Sequence, residues 1–375
     1  MRPFRRAQTR TQWGYIIDTL KDPGQTSGTA PGRRYAVPAH PDHCDTIHYM
    51  TTATAPLLVA RGVWRITTPM PYRPRSVHAY LVEHSPRSWF LLDGGIDSDE
   101  AWSHLDAGVR AVVGDWGGVD LHLVSHMHLD HIGLSARVRD ACGAPLAMGE
   151  LDAQRAAHAA AEPAEEALYR ESLLRSCGAP GEFALGFTAA APPPPRPFTH
   201  AEIELVSSSN VIPVVPTWIS IWTPGHTAGH TSLMRTEDRV LLAADAILPR
   251  VTPTIGVNRQ REDPVADYLA TLDRIEALEP EVAFCGHGGE LVQPAERVRE
   301  LRAATLMESR RVYRALGAEP RSTWQLVEYL YAGRDLPRGP RFLALRETLA
   351  HLAHLCGEER ALRSTVGGVQ LFSSV

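Results

Sequence analysis

The chain has 375 residues, with 38 Lys plus Arg against 43 Asp plus Glu, a formal charge of −5, and 44% hydrophobic residues. That length holds two domains and a large buried core, and no apolar run approaches membrane-spanning length. The acidic balance excludes a protein that binds nucleic acid by bulk charge, while leaving a local basic patch open.

Residues 1–50 stand apart from the rest. Residues 1–10 are Arg-rich, residues 23–31 are rich in Gly, Ser, Thr and Pro, and no apolar periodicity spans the whole. The pair Arg5-Arg6 has no apolar stretch behind it, so no export signal is read there. His40-Pro41-Asp42-His43-Cys44-Asp45-Thr46-Ile47-His48 carries ligand-type side chains, but nothing positions them on a strand or helix, and it reads as a solvated loop. Residues before Met50 are expected to be dispensable, with a catalytic domain over 51–294.

Segments 57–59, 63–67, 77–82 and 89–92 read as strands with an antiparallel start, followed by a helix. The apolar run Leu121-His122-Leu123-Val124 then reads as a buried strand ending at Ser125. Six residues follow, His126-Met127-His128-Leu129-Asp130-His131, of which four are potential metal ligands. One histidine in a polar loop is ordinarily solvated; four ligand types on the rigid edge of a strand read as a metal site. Imidazole with carboxylate suits zinc, and tolerates iron or manganese.

Segment 150–177 is Ala/Glu/Arg/Leu-rich and helical, the start of an insertion over about 150–200. It reads equally as a surface helix covering the sheet or as a lid over the metals. Pro192-Pro193-Pro194-Pro195-Arg196-Pro197 reads as a stiff loop. Three more candidate ligands then close apolar runs. His226 lies in Thr223-Pro224-Gly225-His226-Thr227-Ala228-Gly229-His230 after the strand-like 218–222; Asp245 follows 240–244; His287 follows 282–285, between Gly286 and Gly288. An aspartate ending a wholly apolar strand is costly unless paired or metal-bound. The Pro-punctuated loop 247–256 leaves Asp245 directly and is expected to border the pocket, with Arg250 either holding a substrate anion or making a structural ion pair. A helix over 265–278 leads to the His287 strand.

From residue 295 the pattern is helical. A long Arg/Glu helix spans 295–316, and Ser322-Thr323-Trp324-Gln325 has capping-box form and opens a helix to Tyr331. Pro340 stands at a first helical position ahead of the stripe Phe342, Leu345, Leu349, Leu352 and Leu355, and 361–366 and 369–372 flank Gly367-Gly368 as a hairpin. Three helices and a hairpin read as a winged helix over 295–375. Its 13 Arg against 9 Asp plus Glu give only +4, and the third helix has just Arg341 and Arg346 beside its apolar stripe, so it reads as a packing or pocket-completing module rather than a nucleic-acid reader. His351 and His354 are expected to pack at the helix interface.

Cys44, Cys142, Cys177, Cys285 and Cys356 are odd in number and widely spaced, and read as reduced thiols in a cytoplasmic protein. Lys21 is the only lysine, and no Gly-x-Ser-x-Gly or phosphate-loop lysine is present.

Over residues 57 to 290 the chain resembles the metallo-β-lactamase fold superfamily. The His-x-His-x-Asp-His cluster, the Gly-His-Thr-x-Gly-His turn, the strand-terminal Asp and the Gly-His-Gly occur in family order, and Trp89-Phe90-Leu91-Leu92-Asp93-Gly94-Gly95 looks like the family strand ending in Asp-x-Gly. The resemblance implies an α/β fold, a four-layer αββα sandwich, here with the winged-helix extension. It implies one metal held by His126, His128 and His226, a second by Asp130, His131 and His287, and Asp245 bridging them. Asp93 would orient a ligand and His230 would serve the turn or do the same. Two zinc ions are expected, with iron or manganese open.

Departures from subfamilies narrow the function. His128 stands where the diiron flavoproteins have Glu, Asp245 where the main penicillin-hydrolysing subclass has Cys, and the 41 residues between Asp245 and His287 are too few for the long-insert nucleases. The pattern resembles the glyoxalase II, lactonase and thioesterase branch. The expected activity is hydrolysis of a small-molecule carbonyl ester, a thioester or lactone, by hydroxide shared between the metals, with Asp130 also moving the proton. An endoribonuclease using the same site, and a mononuclear iron, oxygen-dependent relative, are the alternatives.

Overall fold

A computed structural model describes residues 55–189, 203–206, 215 and 217–375. The solvated loop read at His40–His48, Cys44 and the proline run from Pro192 lie outside the described residues.

Seven strands form the first sheet in sequential order: β1 (Leu57–Ala60), β2 (Val63–Pro69), β3 (Ser76–Ser85), β4 (Ser88–Leu92), β5 (Val119–Val124), β6 (Leu146–Gly149) and β7 (Ile203–Val206). Pairing is antiparallel through β4 and parallel from β4 to β7. A second sheet has the order β12 (Leu291–Val292), β11 (Val282–Cys285), β10 (Val240–Ala244), β9 (Thr231–Arg235), β8 (Trp218–Trp222). Its strands are antiparallel except for β10 and β11.

The two sheets face each other across one apolar layer. Tyr80, Phe90, Leu121 and Leu123 from the first meet Trp218, Leu233, Leu242 and Phe284 from the second. Burying a large apolar side chain stabilises by about 1.5–3 kcal/mol, so this layer contributes strongly to holding the sheets together. On the outer face of the first sheet lie α1 (Asp99–Val113) and α3 (Ser135–Cys142), which with Leu134, just after α2 (Leu129–Ile132), contribute Leu105, Val109, Leu134 and Val138 to a separate cluster. On the outer face of the second lie α7 (Pro264–Ala277) and α8 (Ala295–Ala315), through Tyr268, Leu272, Val298 and Leu301. The result is an α/β sandwich of four layers, αββα, as the sequence led us to expect.

Local chemistry places the helix ends. Ser98 accepts from the Ala101 amide at 3.1 Å to start α1, and Gly114 closes it with φ 98°. Asp263 caps α7 in the same way, ahead of Pro264 at its first turn.

The insertion is three helices where the sequence suggested a single helical stretch: α4 (Glu150–Ala161), α5 (Pro163–Ser176) and α6 (Gly181–Ala189). Pro163 starts a new helix because it lacks an amide hydrogen to continue the previous one. These helices pack on the C-terminal region. Leu174, Cys177 and Ala184 share a cluster with α9 (Thr323–Leu330) and α10 (Arg338–Gly357), and Phe187 stacks on Phe342 at 4.5 Å. The expected Ser322/Gln325 capping box is present at α9. A hairpin, β14 (Ala361–Val366) and β15 (Val369–Ser374), pairs with the short β13 (Arg321–Ser322) in the order β13-β15-β14. Helices and small sheet together are compatible with a winged helix. His351 hydrogen bonds Ser309 at 2.8 Å, and His354 pairs with Asp263 at 2.9 Å, so both sit at element interfaces. Among the described residues, no helix is long and apolar enough to cross a membrane.

Candidate metal centre

Strand direction brings the candidate ligands together. Parallel strands β4 and β5 end side by side, delivering Asp93 and the 126–131 loop to one edge of the first sheet. Parallel strands β10 and β11 do the same for Asp245 and His287 on the second. The two edges are stitched by the Thr231 amide to the Ser125 carbonyl at 2.9 Å, and the His78 amide to the Gly286 carbonyl at 2.8 Å.

Three groups of side chains then have ligand atoms within 4.8 Å of one another: His126, His128 and His226; His126, His131 and Asp245; Asp130, His131 and His287. All seven sequence-predicted residues thus converge. Asp245 lies centrally, with Oδ2 3.6 Å from both His226 Nε2 and His287 Nε2, and Oδ1 3.7 Å from His131 Nε2. Asp130 Oδ2 is 3.3 Å from His287 Nε2.

Three of the five imidazoles are aimed through their other nitrogen. His131 Nδ1 donates to Asp93 at 2.8 Å, His226 Nδ1 to the Thr254 carbonyl at 2.9 Å, and His287 Nδ1 to the Ser76 carbonyl at 2.8 Å. That leaves each Nε2 as the inward atom, the arrangement in which a histidine binds a metal. His131 Nε2, His226 Nε2 and Asp245 Oδ1 are buried without a hydrogen-bond partner. Orphaned buried polar atoms cost about 1–3 kcal/mol each, and three of them distributed among the ligand groups fit bound cations.

The backbone is strained at both carboxylates. Asp93 has φ 61°, and Ala244, immediately before Asp245, has φ 44°. Left-handed conformations at non-glycine residues cost about 1–3 kcal/mol and cluster at functional sites. At Gly286 any Cβ would collide with Asp245 Oδ1 and crowd His131 Cε1, which is why glycine precedes His287.

Electrostatics divide the site. Burial, reinforced by the neighbouring imidazoles, holds His126 far below the ordinary histidine value and takes His128 down to about 3. Burial opposes charge on His131 as well, but Asp93, Asp245 and Asp130 outweigh it and carry its pKa up to about 10. Asp130 and Asp245 stay low despite burial, because histidines face them. Neutral imidazoles and ionised carboxylates are the states that ligate a divalent cation.

Two positioning groups, Asp152 and His78, escape a reading of the sequence, and a third, His230, was expected to serve the turn or orient a ligand. Asp152, at the start of α4, is fully buried and joins the two ligand loops: it accepts from the Met127 amide at 2.9 Å, the Thr227 hydroxyl at 2.6 Å and the Gly229 amide at 2.6 Å. His78 bonds the Gly288 carbonyl at 2.8 Å and fixes the His287 loop. His230 accepts the Asp245 amide at 3.2 Å, so it braces Asp245 through the backbone. A buried Asp opening a helix was the one sequence signal for Asp152; nothing local marks His78.

A cavity of about 430 Å³ opens beside His128 and His226. Its walls come from α4 to α6, from the 257–260 loop and from Phe342 and Arg346 on α10. Arg250 is exposed and does not line it.

Residues 72–287 match the family model of the metallo-beta-lactamase superfamily, and the chain belongs to that superfamily. A Bacillus subtilis protein described as a probable metallo-hydrolase is 22% identical over 332 residues, spanning 85% of this chain and 99% of its own. The solved structure of a metallo-beta-lactamase family protein from Thermus thermophilus is 27% identical, with a TM-score of 0.71 over 85% of this chain and 100% of that one. A hydroxyacylglutathione hydrolase from Rhizobium etli is 38% identical over 68 residues, 18% of this chain and 25% of its own.

Proposed function

We propose that the protein is a dinuclear zinc hydrolase acting on a small carbonyl ester, a thioester or lactone. The observation that carries this reading is that seven ligand-type side chains gather in three overlapping groups, with His131 Nε2, His226 Nε2 and Asp245 Oδ1 buried and unpartnered among them. His126, His128 and His226 would hold one cation, Asp130, His131 and His287 the other, and Asp245 would touch both. Such a pair of cations, when bound, lowers the pKa of a shared water toward neutrality and offsets the charge of a developing oxyanion.

The chain's own residues do the rest. Asp93 locks the His131 tautomer, and Thr254 and Ser76 lock those of His226 and His287. Asp130, facing His287 at 3.3 Å, carries the proton to the leaving group as the tetrahedral intermediate collapses. The cavity beside His128 has the volume of a small-molecule site and walls rich in Ala, Leu, Ile and Phe, which supports a compact carbonyl substrate over an RNA strand. Local similarity to a hydroxyacylglutathione hydrolase supports the same choice.

The test is metal quantification of purified protein, followed by assays on acyl-thioester, lactone and single-stranded RNA panels. Two zinc ions per chain, with carbonyl turnover abolished by Asp245→Ala, are expected. RNA cleavage lost on Asp245→Ala without carbonyl turnover, or one iron and no zinc per chain, would overturn the proposal.

A further inference from the structure

The cavity beside the metal centre has an unusual charge. Four guanidinium groups line it, those of Arg155, Arg170, Arg259 and Arg346, against the carboxylates of Asp152 and Glu166. Both carboxylates are already engaged. Glu166 is gripped by Arg155 through two hydrogen bonds and lies 3.4 Å from Arg259, while Asp152 takes three hydrogen bonds from the ligand loops. Arg259 also stacks over the Tyr169 ring at 3.9 Å.

Two arginines are left over. Arg170 makes no hydrogen bond or ion pair among the described residues, and Arg346 has no carboxylate partner, giving one hydrogen bond to the Val257 carbonyl at 2.9 Å. They come from different parts of the chain, α5 and α10, and face the same cavity. Burial depresses the basicity of both; the Glu166 charge partly offsets this at Arg170, and repulsion from Arg170 adds to it at Arg346. Like charges that share one cavity repel, and an anion placed between them relieves that repulsion. Gly256 keeps the place clear, since a Cβ there would lie 3.2 Å from the guanidinium carbon of Arg346. The same wall also carries apolar side chains, among them Ile132, Ala156, Leu173 and Phe342.

We propose that the cavity selects an acyl compound bearing an oxyanion, a carboxylate or a phosphate, on an apolar body. Arg170 and Arg346 hold the anion, Ile132 and Phe342 contact the apolar body, and the scissile carbonyl lies at the His128 and His226 end. This deepens the hydrolase reading, on which it rests for the chemistry, by naming the class of substrate.

Equilibrium binding tests it without requiring turnover. Octanoate, octyl phosphate and octanol are titrated calorimetrically into the metal-loaded protein and into its Arg170→Gln and Arg346→Gln variants. At least one anion is expected to bind about tenfold or more tighter than octanol, and each substitution to weaken that anion by about tenfold, the scale of one charge-assisted hydrogen bond. Octanol affinity should move by less than about twofold, since it lacks the charge that the arginines recognise. Which of the two anions binds better tells carboxylate from phosphate. Anions no tighter than octanol would overturn the proposal, as would anion binding that neither substitution changes, because the metal cations alone would then account for it. If Arg346→Gln fails to fold for want of its Val257 contact, Arg170→Gln still decides, because that side chain makes no hydrogen bond to lose. Anion binding without any hydrolysis on the ester panels would refute the enzymatic reading and leave the subsite standing; hydrolysis without anion preference would do the reverse.

Discussion

Asp93 and His131 form one hydrogen-bonded unit, Oδ2 of the carboxylate accepting from Nδ1 of the ring at 2.8 Å with both side chains closed off from water. The same carboxylate takes the Ser125 amide at 2.7 Å and the Ser125 hydroxyl at 2.9 Å, so it ties the strand end to the ring that follows.

Replacing Asp93 should therefore act on the metal before it acts on the fold. Under the proposed ligand set, Asp93→Asn is expected to weaken binding of the cation assigned to Asp130, His131 and His287 by about 10–100-fold, the usual effect of removing a carboxylate that orients a ligating histidine. Metal content after dialysis against a graded chelator reads this directly. Two firmly retained metals in the variant would mean that His131 needs no orientation.

Asp152 should behave differently, because its three donors belong to loops rather than to an imidazole. Asp152→Ala strands the Met127 and Gly229 amides and the Thr227 hydroxyl, and is expected to cost about 2–5 kcal/mol in urea unfolding. Asp152→Asn keeps an acceptor and should recover part of that. A loss below about 1 kcal/mol would show that water replaces the carboxylate at the junction.

Acid sensitivity follows from histidines buried in the neutral form. Burial takes His128 and His351 down to about 3, and His78 and His122 down to about 4. The unfolded chain takes up these protons near pH 6.5 and the folded chain does not, so stability falls as pH drops below about 6.5, by about 1.4 kcal/mol per unit for each group. His131, raised to about 10, has the opposite sign: its contribution is complete below about 6.5 and is lost as pH climbs through 10. Metal-stripped protein should thus show a falling unfolding midpoint from pH 7 to 5, and His351→Gln, remote from the ligands, should flatten the slope by one proton's worth. An unfolding midpoint that is level across that range would contradict the burial of neutral rings.

The two-sheet frame and the clustering of the seven candidate ligands were legible because each candidate follows an apolar run. A run such as Val240–Ala244 can only be a strand buried on both faces, and an aspartate at its end demands a partner. The short edges were less legible. β6, β7 and β12 have four, four and two residues, too few for a period to emerge. The insertion was read as helix but not as three helices, although Pro163 marked one of the breaks. Asp152, His78, Arg170 and Arg346 were not singled out as site residues, since their meaning depends on neighbours 75 or more residues away: Asp152 meets Thr227, His78 meets Gly288, and Arg346 meets Val257.

The cavity wall contributed by α10 has an evolutionary corollary. The reactive groups hang on strand ends of the sandwich, whereas Phe342 and Arg346 ride on a helix beyond residue 337 that touches the sandwich at the Val257 loop and at Asp263. Under the hydrolase reading, the groups that break a bond sit on the sandwich, while part of the choice of molecule to admit is carried by this helix, beside Met127, Ile132 and Thr227 of the loops themselves. A few substitutions on one helical face could then change what is admitted, while the ligand loops that do the breaking stay as they are.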